Sequence, residues 1–139
     1  MSANVLTIEQ VNKILPIVER GVRFIRRKAV EIIRTQDRLS VLSLVGGDDP
    51  RSPEHKEFDL QRHLLEELVQ AYNARLEELD QLGCMIKDLN LGLVDFYGKV
   101  NGRMVFLCWK LGEKKIAFWH DLESGFAGRR PISELEREK

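Results

Sequence analysis

A chain of 139 residues, 43% hydrophobic and 32% charged, has the length of one domain and enough apolar material for a core. Its 22 basic side chains balance 22 acidic ones, so no overall field recruits nucleic acid or an anionic membrane. The start MSANVLTIEQ lacks a signal peptide's pattern, no apolar run reaches the roughly 20 residues of a membrane span, and two cysteines make no disulfide framework, so a reduced, cytoplasmic single domain is expected over 1–139.

Thr7 and Gln10 form a capping-box signature that starts a helix. Val11, Leu15, Val18, Val22, Ile25, Ala29, Ile32 and Leu39 then recur at steps of three and four, with Gln36 in the vacant place. A seam of period 3.5 predicts close helix–helix packing. Pro16 lies inside this pattern and removes a backbone donor, so a kink or break is expected near Leu15. The stretch VGGDDPRSP, 45–53, has turn chemistry and little to bury. Ser52 and Pro53 then read as the cap and first position of a second helix. Phe58, Leu65, Tyr72 and Leu79 follow seven apart, and Gly83 is the natural stop. The prediction for 7–83 is an antiparallel helical hairpin with its loop at 45–53.

Charge is unevenly spread along that hairpin. Residues 8–44 carry eight basic and four acidic side chains, and 54–83 carry three basic and eight acidic. The two helices therefore suit each other, or copies of each other. Arg20, Arg23, Arg27, Arg34 and Arg38 share one face; the plain reading is a solvated or ion-paired stripe rather than a phosphate grip. Asp59, His63 and Glu67 stack four apart, but the first helix offers no matching Glu-x-x-His, so surface polarity is expected there rather than a metal site.

Residues 84–130 have strand character. Asn101-Gly102 between apolar runs is a strong hairpin signal. A two-residue turn there sets Val100 opposite Arg103, Phe96 opposite Leu107 and Asp95 opposite Cys108. A second turn around 112–115 would set Leu111 opposite Ile116, Trp109 opposite Phe118 and Cys108 opposite Trp119. The fold class expected is α+β: a long antiparallel helical hairpin followed by a three-stranded antiparallel β-meander (about 93–100, 103–111 and 116–121) packed on it. In this register Trp109 and Phe118 face the core with His120 at the end of that face, and Asp95, Cys108 and Trp119 share the other. The charged tail 131–139 should fray or form a last helical turn.

That register separates Cys108 from His120, which argues against a thiol nucleophile. No Cys-x-x-Cys or His-x-x-x-His spacing supports zinc, so neither a metal nor a cofactor is expected. The candidate ligand-binding residues are Asp95, Glu113, Trp119, His120, Asp121, Arg129 and Arg130. They cluster at turns, at a strand end and in the Gly-bounded segment SGFAGRR, where two arginines could grip an anion. The alternative is structural: the glycines turn the chain, and Arg129 pairs with Glu113 or Asp121.

GLVDF (92–96), LCWKLGE (107–113), FWHD (118–121), GFAGR (125–129) and the leading helix with Leu15-Pro16 resemble an uncharacterised conserved bacterial family, domain of unknown function 2203. The resemblance implies a small bacterial cytoplasmic protein and transfers no activity, cofactor or site residue. Two functions follow as expectations. The first is an interaction module whose helical hairpin forms a homodimer or binds a partner helix. The second is a small anionic-ligand-binding protein, or an enzyme, with its site around His120 and Arg129; whether there is catalysis is left open.

Overall fold

The computed structural model describes residues 5–136. The chain is mixed α+β, with two long helices and a sheet of six strands. It divides into two compact units, one of Met1–Arg23 with Glu77–Lys139 and the other Phe24–Leu76.

Strand β1, Val5–Leu6, leads into helix α1, Ile8–Leu44. The capping box is made in full. The Thr7 N–H donates to Gln10 Oε1 at 2.9 Å, and the Gln10 N–H to Thr7 Oγ1 at 3.1 Å. Pro16 does not end the helix. Helix α2 spans His55–Gln81, and it stops where expected. Gly83 takes a φ of 96°, and the Cys84 N–H returns to the Leu79 carbonyl at 3.1 Å.

In the first unit, the apolar seam of α1 is buried at Val11, Leu15, Val18 and Val22. Gly21 leaves room for Leu79 of α2: a Cβ there would lie 2.7 Å from the Leu79 side chain. In the Phe24–Leu76 unit, Arg38 makes a bidentate pair with Glu57 at 2.7 and 2.8 Å. The Arg75 guanidinium lies 4.2 Å from the centre of the Phe24 ring. The charge difference between the helices is thus used at Arg38, while Arg23 pairs with Glu19 on its own helix.

The sheet is larger than the expected three-stranded meander. Strands β2 (Met85–Asp88), β3 (Leu93–Val100), β4 (Arg103–Lys110), β5 (Phe118–His120) and β6 (Arg130–Pro131) join β1 in the order β1-β3-β4-β5-β6, with β2 also on β3. One edge of β3 is shared: β2 runs antiparallel beside Leu93–Asp95, and β1 parallel beside Tyr97–Gly98. Two-residue strands are too short to show any period in the sequence. From Arg130 the chain continues through the unexpected strand β6 into α3, Ile132–Glu136, the last helical turn that the tail allowed; residues 137–139 of the tail lie outside the described residues.

The β3–β4 ladder has the expected register throughout, Val100↔Arg103 to Leu93↔Lys110. Its turn carries positive φ at both Asn101 (53°) and Gly102 (80°), the combination a two-residue hairpin loop requires. The β4–β5 register differs by one residue. Cys108 faces Phe118, Leu107 faces Trp119 and Phe106 faces His120. The cause is the connection. No tight turn forms at 112–115, because Ile116 leaves the ladder and donates its N–H to Asn12 Oδ1 of α1 at 2.7 Å. Glu113 pins the other end, its carboxylate accepting from the Lys110 N–H at 2.7 Å and its carbonyl from Trp109 Nε1 at 2.8 Å.

A one-residue slip exchanges the faces of a strand. Trp119 therefore joins Val94, Phe96, Val105, Leu107 and Trp109 on the buried inner face, and is itself 1% exposed. Phe118 and His120 move to the opposite face, beside Asp95 and Cys108.

Candidate functional site

The slip assembles a site that the expected register takes apart. Asp95 and Cys108 are direct partners on β3 and β4, and His120 lies diagonally across from Cys108 on β5. A carboxylate oxygen, a thiol sulfur and a ring nitrogen from these three residues lie within 4.8 Å of one another, and all three side chains are buried. The expectation that Cys108 points away from His120 is overturned.

His120 Nε2 lies 2.9 Å from Asp95 Oδ2, and Nδ1 lies 2.8 Å from the Asp121 carbonyl oxygen. Both ring nitrogens thus face oxygen acceptors. Two such bonds need two protons, distributed over the ring and the Asp95 carboxyl. Burying such a pair is costly unless each charge is matched and hydrogen-bonded. Here the pair is matched, and the Phe106 ring covers the imidazole at 5.2 Å between centres.

Cys108 is no activated nucleophile in this state. Burial pushes its thiol up to about 12; the Asp95 carboxylate acts in the same direction, and the Arg129 charge opposes it. Reactive cysteines need the reverse.

A cavity of ≈ 230 Å³ opens over these groups. Asp95, Cys108 and His120 form part of its lining with Phe106, and Lys87, Ser124 and Phe126 contribute further walls. Its volume corresponds to about eight waters, enough for a ligand of a few heavy atoms. Lys87 stands 5.3 Å from the centre of the Phe106 ring.

The remaining candidates separate into two groups. Arg129 and Glu113 do meet, as a partly buried ion pair. The Arg129 guanidinium stacks 3.9 Å from the centre of Phe118 and 5.0 Å from that of Phe126, so it props a cavity wall. Its Nε is buried without an acceptor among the described residues. Trp119, Arg130 and Asp121 contribute no lining to this cavity. Trp119 is on the inner face, where Arg130 and Arg103 lie 5.4 and 4.9 Å from its ring centre. Asp121 pairs with Arg103 at 2.9 Å. Asp95 and His120 were thus within reach of sequence reasoning. Phe126 lies in the SGFAGRR segment that the sequence singled out, Lys87 carried no signal, and Cys108 was set aside because His120 was expected on the opposite face.

His63 of α2 stands apart from the cavity lining. His63 Nδ1 lies 2.8 Å from the Asp59 carbonyl on an exposed surface, and Asp59 pairs with Arg62 at 2.9 Å. Among the described residues no helix is long and apolar enough to cross a membrane.

The chain belongs to the family described as "Uncharacterized conserved protein (DUF2203)", which matches residues 4–132. Neither a curated protein nor a solved structure matches the chain.

Proposed function

We propose, for this member of an uncharacterised family, that the β-module binds a small anionic ligand in the cavity lined by Asp95, Cys108 and His120. The observation that carries the reading is the buried Asp95–His120 pair at 2.9 Å in that lining. A fold seldom keeps a desolvated ion-pairing couple beside an open cavity for stability alone, since apolar side chains of equal size do as well or better. Apolar walls with a few convergent polar groups are the usual composition of a ligand pocket. Lys87 supplies a cation on one wall and Glu123 a carboxylate on another, the charge of Arg129 reaches Cys108, and the Asp95 carboxylate is already matched by the imidazole. The test is a thermal-shift titration of the full chain with inorganic phosphate and malonate. Stabilisation by either anion, lost in Lys87→Ala and His120→Gln, supports the site. No shift with any small anion sinks it.

A second reading, self-association through the helices, is favoured by a separate observation. Val30, Ile33, Val41 and Leu44 of α1 are exposed, Leu44 at 86%. At 3.6 residues per turn they fall within an arc of roughly 80°. In this reading α1 and α2 of the Phe24–Leu76 unit pair as an antiparallel hairpin, supported by the Arg38–Glu57 and Arg75–Phe24 contacts. The hairpin presents this stripe to a second copy. Light scattering of the wild type should give a dimer mass, and Ile33→Glu with Leu44→Glu a monomer. A wild-type monomer at high concentration removes the reading.

A further inference from the structure

Three different metal-ligand atoms sit together in the lining of the cavity, and their arrangement carries more than anion binding. We propose that Asp95, Cys108 and His120 bind a divalent transition metal ion of the zinc class, with one coordination position open to the cavity. The inference rests on the cavity being the ligand site, and it names what anchors the anion there.

Geometry is the first support. Zinc bonds of about 2.0–2.3 Å in a tetrahedron place neighbouring ligand atoms roughly 3.3–3.7 Å apart. The three atoms here lie within 4.8 Å of one another, with His120 Nε2 2.9 Å from Asp95 Oδ2. Side-chain adjustments of about 1 Å bring them onto one ion. All three residues stand on paired strands rather than on a loop, which holds their spacing.

The orientation of His120 is the second support. Its Nδ1 faces the Asp121 carbonyl at 2.8 Å. A backbone acceptor on one ring nitrogen fixes the tautomer and turns the other nitrogen's lone pair to the metal, as metal-binding histidines commonly require. Here that other nitrogen, Nε2, is the one that faces Asp95.

The donor set decides the class of ion. Calcium and magnesium take oxygen ligands, and a thiolate with an imidazole excludes them. One sulfur, one nitrogen and one oxygen suit zinc or cobalt(II). Three protein ligands with a solvent-facing fourth position is the pattern of zinc sites that work on a ligand rather than merely hold a fold. The cavity supplies that fourth direction. Binding is a proton-for-metal exchange. The sulfur gives up its thiol proton, and the proton between Nε2 and Oδ2 leaves as well. Both go to buffer, and no electron moves.

The test uses the full chain, stripped with a chelator and titrated anaerobically with cobalt(II) alone. Binding of one equivalent should bring a thiolate-to-cobalt charge-transfer band in the near ultraviolet and the strong visible bands of a four-coordinate site. Cys108→Ser should lose the charge-transfer band, Cys84→Ser should keep it, and His120→Ala should lose tight binding. Absence of the band in the wild type overturns the proposal, as does a band that survives Cys108→Ser. If Cys108→Ser fails to fold, X-ray absorption of the zinc-loaded wild type decides: one sulfur in the coordination shell supports the site, and a shell of nitrogen and oxygen only overturns it. Phosphate titration of the metal-free protein separates the two readings. Anion binding without cobalt uptake removes the metal and leaves the ligand site. Cobalt uptake without anion binding to either form removes the anion and leaves the metal.

Discussion

His120 Nε2 and Asp95 Oδ2 meet at 2.9 Å across two strands, and the two side chains are 4% and 5% exposed. Removing one partner of such a pair leaves the other buried and unmatched, which costs about 3–5 kcal/mol. Asp95→Ala and His120→Ala should each lose stability on that scale, measured by urea unfolding of the metal-free protein. The double variant should cost much less than the sum, because neither charge is then stranded. Strict additivity would mean that the two groups are not coupled.

The two tryptophans report the β4–β5 register. Trp109 and Trp119 are 0% and 1% exposed, so fluorescence of the native protein should be blue-shifted and resist quenching by acrylamide. Trp119→Ala should destabilise by about 3–5 kcal/mol, as expected for a large residue removed from a packed core. One readily quenched tryptophan would show that Trp119 has taken the solvent face, with the register one residue away.

Cys84 makes stability fall in alkali. Burial pushes its thiol from 9.0 up to about 12, with Asp80 adding to the effect. The raised value belongs to the folded state, so the unfolded chain ionises first. The thiol's contribution is whole below about pH 9 and is lost as pH rises towards 12, at up to about 1.4 kcal/mol per pH unit. Urea unfolding across this range should show a shallower decline in Cys84→Ala than in wild type. Equal slopes would place the titration elsewhere.

Gly98 allows β3 and β4 their close packing. A Cβ built there would stand 2.5 Å from Leu107 Cγ, the branch point of a fully buried side chain. Leu107 is held by its neighbours, so Gly98→Ala should cost about 1–3 kcal/mol in thermal or urea unfolding. Gly125→Ala is the control, since a Cβ there meets nothing within 4 Å, and its stability should stay near wild type.

Local chemistry made much of this fold readable. Thr7 and Gln10 announced α1, and Asn101-Gly102 set every pair of the β3–β4 ladder, because both signals act within a few residues. The β4–β5 register was not readable. It depends on a bond between Ile116 and Asn12, 104 residues apart, and no pattern near residue 116 records it. The site inherits that blindness. Asp95 and His120 drew attention as polar groups amid apolar strands, but the parity of β5 decided whether His120 belonged with Asp95 and Cys108. Lys87 on β2 reaches the cavity by tertiary placement alone, whereas Ser124 and Phe126 come from the SGFAGRR segment that the sequence had marked.

The shared edge of β3 has a consequence for how this chain can vary. The segment that precedes α1 and the one that follows α2 are stitched to the same strand, at Tyr97 and Asp95. Everything from Thr7 to Cys84 is therefore a closed excursion whose exit and return are neighbours. Matched insertions or deletions within the Phe24–Leu76 unit need not disturb those anchor points, and closing a somewhat longer loop adds only a fraction of a kcal/mol. Selection can change the length of the Phe24–Leu76 unit while the side chains on β3, β4 and β5 keep their pairing.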